Sequence, residues 1–231
     1  MTVYMPEGLP TAGTGALFAA PAVAYPTRPN LTEMAAVGSF KLHCSVYGWA
    51  PNREQAKLVE ERYCLAEGVE SFGRVTNSVE AIEVVYNPQN PADTDYPAAL
   101  YLAEGSTHYI LDRRDIDSQT NLAAGQFGDM YKVRVGARSR LPITNADGET
   151  HRLRIELAVE SVNLDSKMIT APAAWAATTS YTTGKYVTHT GGGLLECTTA
   201  GTSGATIPAL PAAIGGTTGV DGVTTVWTRR G

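Results

Sequence analysis

The sequence predicts a mainly β protein: an antiparallel β-sandwich or partial barrel with one short helix, followed by a small C-terminal all-β domain. Three observations support this fold class. Polar and apolar residues alternate over several segments between residues 38 and 170, and a period of two is typical of half-buried strands. Glycine and asparagine separate these segments, as expected for turns between antiparallel strands. After residue 175 the chain is rich in threonine and glycine, which favours short strands joined by tight turns.

Residues 1–37 are predicted to form an extended N-terminal arm. Up to residue 30 the segment is rich in proline, glycine and alanine and contains only two charged residues. Such a composition does not favour a regular helix or strand. Two alternatives stay open: a disordered leader, or an arm that becomes ordered by lying against a neighbouring subunit, where it buries Leu17, Phe18 and Tyr25.

Residues 38–170 are predicted to form the main β-domain. Its candidate strands lie at 40–47, 57–64, 79–86, 107–111, 130–137 and 152–162. Apolar and polar residues alternate clearly at 40–47 and in the last two segments. The last two are predicted to pair as a hairpin, because the turn sequence Asn-Ala-Asp-Gly lies at 145–148 between them. One segment differs: Pro97 followed by a run of alanine and leucine favours a short helix between residues 91 and 105, with a preceding aspartate or threonine as its cap.

The C-terminal block carries aromatic residues and glycines in a fixed order. After a predicted linker at 171–174, the segment 175–231 is predicted to form the small β-domain. It begins with Trp175, continues through Tyr-Thr-Thr-Gly and Thr-Ala-Gly-Thr-Ser-Gly, and closes on Asp-Gly followed by Trp227. This order resembles a small β-module that recurs in structural proteins of tailed bacteriophages, where it decorates tail, capsid and fibre proteins.

The large aromatic residues of this block permit two interpretations. They are Trp175, Tyr181, Tyr186 and Trp227. A domain of this size is near the lower limit for independent folding, so these residues could form most of its core. Alternatively, their flat faces could form an exposed platform that stacks against sugar rings.

The order of elements in the main domain resembles the major tail protein of long-tailed, siphovirus-like bacteriophages. The shared order is a proline-rich arm, strands, a long charged ribbon, a short helix and a final hairpin. The resemblance implies a structural virion protein, made in the host cytoplasm, whose homohexameric rings stack into the tail tube through which DNA is ejected. The implied partners are further copies of the chain and the tape measure, tail terminator and distal tail proteins. The C-terminal domain would lie on the exterior of the tube.

Two other functions stay open. A capsid or head–tail connector component, or another virion decoration protein, could carry the same C-terminal module. A carbohydrate-binding adhesin would use the aromatic residues of that module to hold host-surface glycans.

The charge is unevenly distributed. The formal net charge is −5, and residues 171–231 contain three basic and two acidic residues, which leaves residues 1–170 with a net charge of −6. An acidic domain does not favour tight binding to phosphates, although DNA could pass along it without being held. The candidate lumen-facing residues are Glu60, Glu61, Glu67, Glu70, Glu80 and Glu83. The alternative is a solvated acidic face.

The sequence contains no pattern typical of an enzyme. The aspartates at 112, 115 and 117 lie beside two adjacent arginines and are predicted to belong to a solvated loop. Cys44, Cys64 and Cys197 are widely spaced and odd in number, which predicts free thiols rather than a zinc site or disulfides. We therefore expect no catalytic residues, no metal and no cofactor. Membrane insertion is not expected either, because no unbroken apolar run is long enough to span a bilayer.

Overall fold

The computed structural model describes residues 13–42, 45–60, 69–143 and 149–231. These residues form two compact units. Unit 1 contains residues 13–41, 109–130 and 163–231, and unit 2 contains the described residues of 42–108 and 131–162. The fold class predicted from the sequence is confirmed, because the chain is mainly β with an antiparallel seven-stranded sheet and smaller sheets.

Two short helices and fifteen strands are described. The helices are α1 (Leu31–Met34) and α2 (Pro97–Tyr101). The strands are β1 (Ala16–Ala20), β2 (Phe40–Lys41), β3 (Val46–Tyr47), β4 (Pro51–Glu60), β5 (Val69–Val79), β6 (Ile82–Val85), β7 (Thr107–Arg113), β8 (Phe127–Arg140), β9 (Arg152–Lys167), β10 (Ala173–Ala174), β11 (Ser180–Tyr181), β12 (Tyr186–Thr188), β13 (Leu194–Thr199), β14 (Gly201–Thr202) and β15 (Val226–Arg229). No helix among the described residues is both long and apolar enough to cross a membrane.

The strands assemble into four sheets. The largest has the order β2-β1-β7-β8-β9-β6-β3. A second sheet has the order β10-β12-β13-β15, while β11 with β14 and β4 with β5 form two-stranded sheets.

Strand β1 lies in the segment for which the sequence predicted no regular structure, and that prediction is wrong for residues 16–20. All five residues of β1 are buried, and the strand pairs antiparallel with β2 on one side and β7 on the other. A strand that is buried on both faces is apolar throughout, so it lacks the alternation that reveals a half-buried strand. Leu17 and Phe18 are therefore covered by their own chain.

The strand predicted at 40–47 is divided in the structure. Strand β2 pairs with β1 at one edge of the seven-stranded sheet, whereas β3 pairs with β6 at the opposite edge. The backbone N–H of Ser45 donates to the carbonyl of Leu42 at 2.9 Å. Leu42 is fully buried although it lies beyond the end of β2, so the apolar period of the sequence extends past the strand, which explains the error.

Two other predicted elements are confirmed. Strands β8 and β9 are hydrogen-bonded neighbours, and Val133, Val135 and Ile155 are buried on them as their alternation predicted. The turn predicted at 145–148 lies outside the described residues. The short predicted helix is α2, with Pro97 in its first turn. Its N-cap is Tyr96 and no side chain caps it, so the predicted aspartate or threonine cap is wrong.

The C-terminal segment folds around its own apolar cluster. Tyr181, Val187, Leu195, Cys197 and Trp227 are buried together. Strand β10 pairs in parallel with β12, so the C-terminal sheet begins within the segment that was predicted as a linker.

Candidate functional site

Strands β4 and β5 form a long two-stranded ribbon in unit 2. Their antiparallel register places Lys57 opposite Phe72 and Val59 opposite Glu70. Val75 lies beyond a register shift that adds one residue to β5. Paired residues share a face and successive residues alternate between faces, so Val59, Phe72 and Val75 lie on the same side of the ribbon. We call these three residues the ribbon face.

The ribbon face exposes apolar side chains to solvent. Phe72 is 73% exposed, Val59 58% and Val75 36%, and Leu58 on the opposite side is 57% exposed. A two-stranded ribbon alone is marginally stable in water, and contiguous exposed apolar side chains mark surfaces that bind other proteins. The ribbon face is therefore a candidate association surface.

Unit 1 contains an apolar pocket of about 420 Å³. Side chains from β1, α1, β2 and the loop after β7 line this apolar pocket, among them Phe18, Leu31, Met34, Phe40, Lys41 and Leu122. A capping box holds the α1 wall in place. The side chain of Asn30 accepts from the Glu33 N–H at 2.9 Å, while the Glu33 carboxylate accepts from the Asn30 N–H at 3.2 Å.

Arg113 supports the loop wall of the apolar pocket. Its side chain is fully buried and donates to the carbonyls of Asp117 at 2.9 Å and Asn121 at 3.3 Å. Its guanidinium also lies 5.2 Å from the centre of the Phe18 ring. Burial lowers the pKa of Arg113, and the nearby Asp117 opposes that shift. The prediction of a solvated loop at 112–117 is wrong for Asp112 and Arg113, which are buried at the end of β7, because a run of charged residues does not show which side chains point inward.

The described candidate lumen-facing glutamates Glu70, Glu80 and Glu83 lie in two different places. Glu70 is exposed on the ribbon, where its carboxylate lies 3.6 Å from Lys57 Nζ. Glu80 and Glu83 instead line a polar cavity of about 690 Å³ at the base of the ribbon. Glu60 ends β4, and Glu61 and Glu67 lie outside the described residues.

The polar cavity in unit 2 is also lined by Arg154 and Glu156, which the sequence did not indicate as site residues. These two side chains lie 3.1 Å apart at Nε and Oε1. Arg152 binds Glu83 at 3.3 Å and stacks 4.3 Å from the centre of the Tyr47 ring. Alternation placed these residues on the polar face of β9, but only the β6–β9 pairing brings them beside Glu83.

The C-terminal aromatic residues are mostly buried. Trp227 is fully buried, Tyr181 is 8% exposed and Tyr186 is 7% exposed. The rings of Tyr181 and Trp227 meet edge to face with their centres 4.8 Å apart, and Trp175 packs against the same cluster. Little of Tyr181, Tyr186 and Trp227 is therefore exposed, whereas Trp175 is only partly buried.

Tyr25 and Arg28 contact this C-terminal segment within unit 1. The hydroxyl of Tyr25 accepts from the Gly193 N–H at 3.3 Å, and Arg28 Nε donates to the Tyr186 hydroxyl at 3.2 Å. Tyr25 also packs against the buried cluster formed by Ile169, Tyr186 and Leu194. Part of the predicted arm is thus held by its own chain.

The described residues contain no group of three or more histidine, cysteine, aspartate or glutamate side chains that could hold a metal. Cys197 is free and buried, and burial raises the pKa of its thiol. Cys44 and Cys64 lie outside the described residues.

An exposed apolar ribbon beside a β-rich body is typical of a structural protein that associates with other chains. The family model for "Phage tail tube protein" matches residues 5–172. The chain therefore belongs to the phage tail tube protein family, and it is a structural component of the virion tail. The resemblance inferred from the main domain is confirmed. The whole C-terminal domain, residues 175–231, lies beyond the matched residues, so its resemblance to a phage β-module stays a prediction. None of the curated proteins matches the chain.

Proposed function

We propose that copies of this chain assemble into hexameric rings that stack to form the tube of a long-tailed phage, through which DNA is ejected. The observation that carries the proposal is the ribbon face of Val59, Phe72 and Val75, whose members are 58%, 73% and 36% exposed. Membership of the tail tube family supports self-assembly of this kind, because a tube is built from many copies of one subunit. Tape measure, tail terminator and distal tail proteins are the further proposed partners.

The ribbon supports self-association for two physical reasons. Burying exposed apolar surface stabilises a complex by about 25 cal/mol for each Å² removed from water. The outer edges of a two-stranded ribbon also leave backbone N–H and C=O groups that another strand can pair with. A closed ring satisfies such edges in every copy, and a stack repeats the contact along the tube.

The acidic residues supply the proposed wall of the DNA channel. The domain within residues 1–170 has a net charge of −6, and the carboxylates of Glu80 and Glu83 line the polar cavity. A negatively charged wall repels phosphates, so DNA would pass along it without binding. DNA is therefore proposed to pass transiently through the channel without being recognised by the protein.

The small C-terminal domain is proposed to lie on the exterior of the tube. Its residues are nearly balanced in charge, with three basic and two acidic side chains in 171–231. The burial of Tyr181, Tyr186 and Trp227 gives no support to the adhesin alternative, so glycan binding is not part of the proposal.

Negative-stain electron microscopy of the purified chain over a concentration series tests the proposed assembly. We expect stacked hollow rings with sixfold symmetry for the unmodified chain. Phe72→Ser should raise the concentration at which rings form, whereas Val37→Ser, which removes a 96% exposed apolar side chain outside the ribbon, should not. Closed rings of another symmetry that never stack would contradict a tube. Monomers at every concentration, even after addition of preformed tail tips as an initiator, would contradict self-assembly.

A further inference from the structure

We propose that Phe72 of one copy inserts into the apolar pocket of a second copy, with Glu70 of the first copy pairing with Lys41 of the second. This inference rests on the proposed function, since it assigns the two surfaces that meet when copies associate. The apolar pocket of one copy thus receives the ribbon face of another copy. Both surfaces belong to the same chain, so every copy can both insert and receive.

Phe72 is suited to act as the inserted side chain. It is 73% exposed, more than Phe127 at 54% or Tyr47 at 47%. Val59 is its diagonal neighbour on the ribbon face, according to the register in which residues 57 and 59 oppose residues 72 and 70. An aromatic side chain buries roughly 150–250 Å² on insertion, so Phe72 would supply a large part of the apolar contact.

The apolar pocket is suited to receive an aromatic ring. It measures about 420 Å³, and a dry apolar cavity of about 150 Å³ already accommodates benzene. Phe18, Met34 and Phe40 contribute apolar and polarizable wall surface, which favours contact with an aromatic ring. The volume that remains is sufficient for a side chain the size of Val59.

Charge complementarity fixes the orientation of the insertion. Lys41 lines the apolar pocket, and its Nζ donates to Asn121 Oδ1 at 3.3 Å; within the described part of the chain it makes no ion pair. Glu70 lies two residues from Phe72 on the same face, about 7 Å along the strand. Its pair with Lys57 is exposed, with side chains 63% and 61% accessible, so little energy holds Glu70 there.

The contact is heterologous, because the inserted side chain and the pocket are different surfaces. A heterologous contact repeats from copy to copy, so it produces a ring when the rotation closes and a filament when it does not. Two copies related by a twofold axis could use both surfaces only by inserting into each other at the same time.

Disulfide trapping between two differently tagged single variants tests the contact directly. Phe72→Cys and Leu122→Cys chains are mixed, oxidised, and searched by peptide mass spectrometry for the 72–122 linkage between the two tags. We expect this linkage, and we expect none when Phe127→Cys, which removes another exposed aromatic side chain, replaces Phe72→Cys. No 72–122 linkage, or equal linkage from position 127, would overturn the inference.

Charge reversal provides a second, independent readout. Lys41→Glu and Glu70→Lys should each raise the concentration for association by roughly two- to tenfold at low salt, because each loses a pair and adds a repulsion, and the double variant should recover most of the loss. Equal defects in the double and single variants would overturn the proposed pairing. The outcomes separate the two proposals. Rings that form without the 72–122 linkage would contradict only the assigned contact between Phe72 and the apolar pocket. The linkage in particles that never form rings would contradict the proposed tube.

Discussion

Asp221 and Trp227 are joined by a buried hydrogen bond in which the indole Nε1–H donates to Asp221 Oδ2 at 2.8 Å. The same oxygen accepts from Trp175 Nε1 at 3.1 Å, and the other carboxylate oxygen accepts from the Gly204 N–H at 2.7 Å. One carboxylate therefore connects the first tryptophan of the C-terminal domain, its glycine turn and its last tryptophan. This arrangement explains why Asp-Gly precedes the closing tryptophan in the sequence.

Replacing Asp221 by asparagine should destabilise the C-terminal domain. An amide keeps one acceptor for Gly204 but turns an NH₂ group towards two indole N–H donors, which leaves buried donors unpaired at a cost of about 1–3 kcal/mol each. Asp95→Asn removes an exposed carboxylate and serves as the control. Chemical unfolding followed by tryptophan fluorescence would measure the change, and equal midpoints for both variants would contradict this role of Asp221.

Gly222→Ala should destabilise the chain, because Gly222 adopts a positive φ of 75° and a Cβ there would collide with the Thr202 carbonyl. A left-handed conformation alone costs a residue with a Cβ about 1–2 kcal/mol, and the collision adds to that cost. Gly219→Ala is the matched control, since a Cβ at that position meets nothing within 4 Å. A thermal midpoint for Gly222→Ala equal to that of Gly219→Ala would contradict the argument.

The sequence predicted the half-buried strands well and the fully buried or fully exposed ones poorly. Val133 and Ile155 lie on strands with one polar face, so their period of two identified the pair β8 and β9. Phe18 lies on a strand without a polar face, and Phe72 lies on a ribbon whose apolar residues face solvent. Hydropathy assigns Phe18 and Phe72 the same preference for a core, and only tertiary contacts distinguish them.

The candidate site was predictable only in its general chemistry. Acidic composition around the ribbon indicated Glu70, Glu80 and Glu83, yet it could not show that the last two line a cavity with Arg154. The apolar pocket joins side chains far apart along the chain, from Phe18 to Leu122. No local pattern brings such residues together, because strand order is decided by the packing of the whole sheet.

Acidification should reduce the stability of unit 2 through His108. This side chain is 5% exposed, and burial lowers its pKa from the ordinary value of 6.5, with a backbone hydrogen bond to Tyr101 opposing the shift. As the pH is lowered, His108 is therefore protonated at a higher pH in the unfolded chain than in the folded chain. Stability is fully present above about pH 6.5 and falls as the pH decreases towards the lowered folded pKa.

Urea unfolding at pH 8 and pH 5.5 would measure this effect. The loss of unfolding free energy between the two pH values should be smaller in His108→Gln than in the unmodified chain. His151→Gln replaces a side chain that packs against Tyr86 at the start of β9 and serves as the control. An identical pH dependence in His108→Gln and the unmodified chain would show that His108 does not contribute.

Neutralising the acidic side chains of the polar cavity should slow DNA release from assembled particles. Glu80→Gln with Glu83→Gln removes two negative charges from each subunit, so the proposed channel wall would repel phosphates less and DNA would be held more often. The effect should be larger at low ionic strength, because the screening length is about 10 Å at 0.1 M salt and increases on dilution. Asp95→Asn with Glu104→Gln removes the same charge elsewhere. Fluorescence of a DNA-binding dye during triggered ejection gives the rate, and equal rates for the two double variants would exclude Glu80 and Glu83 from the channel wall.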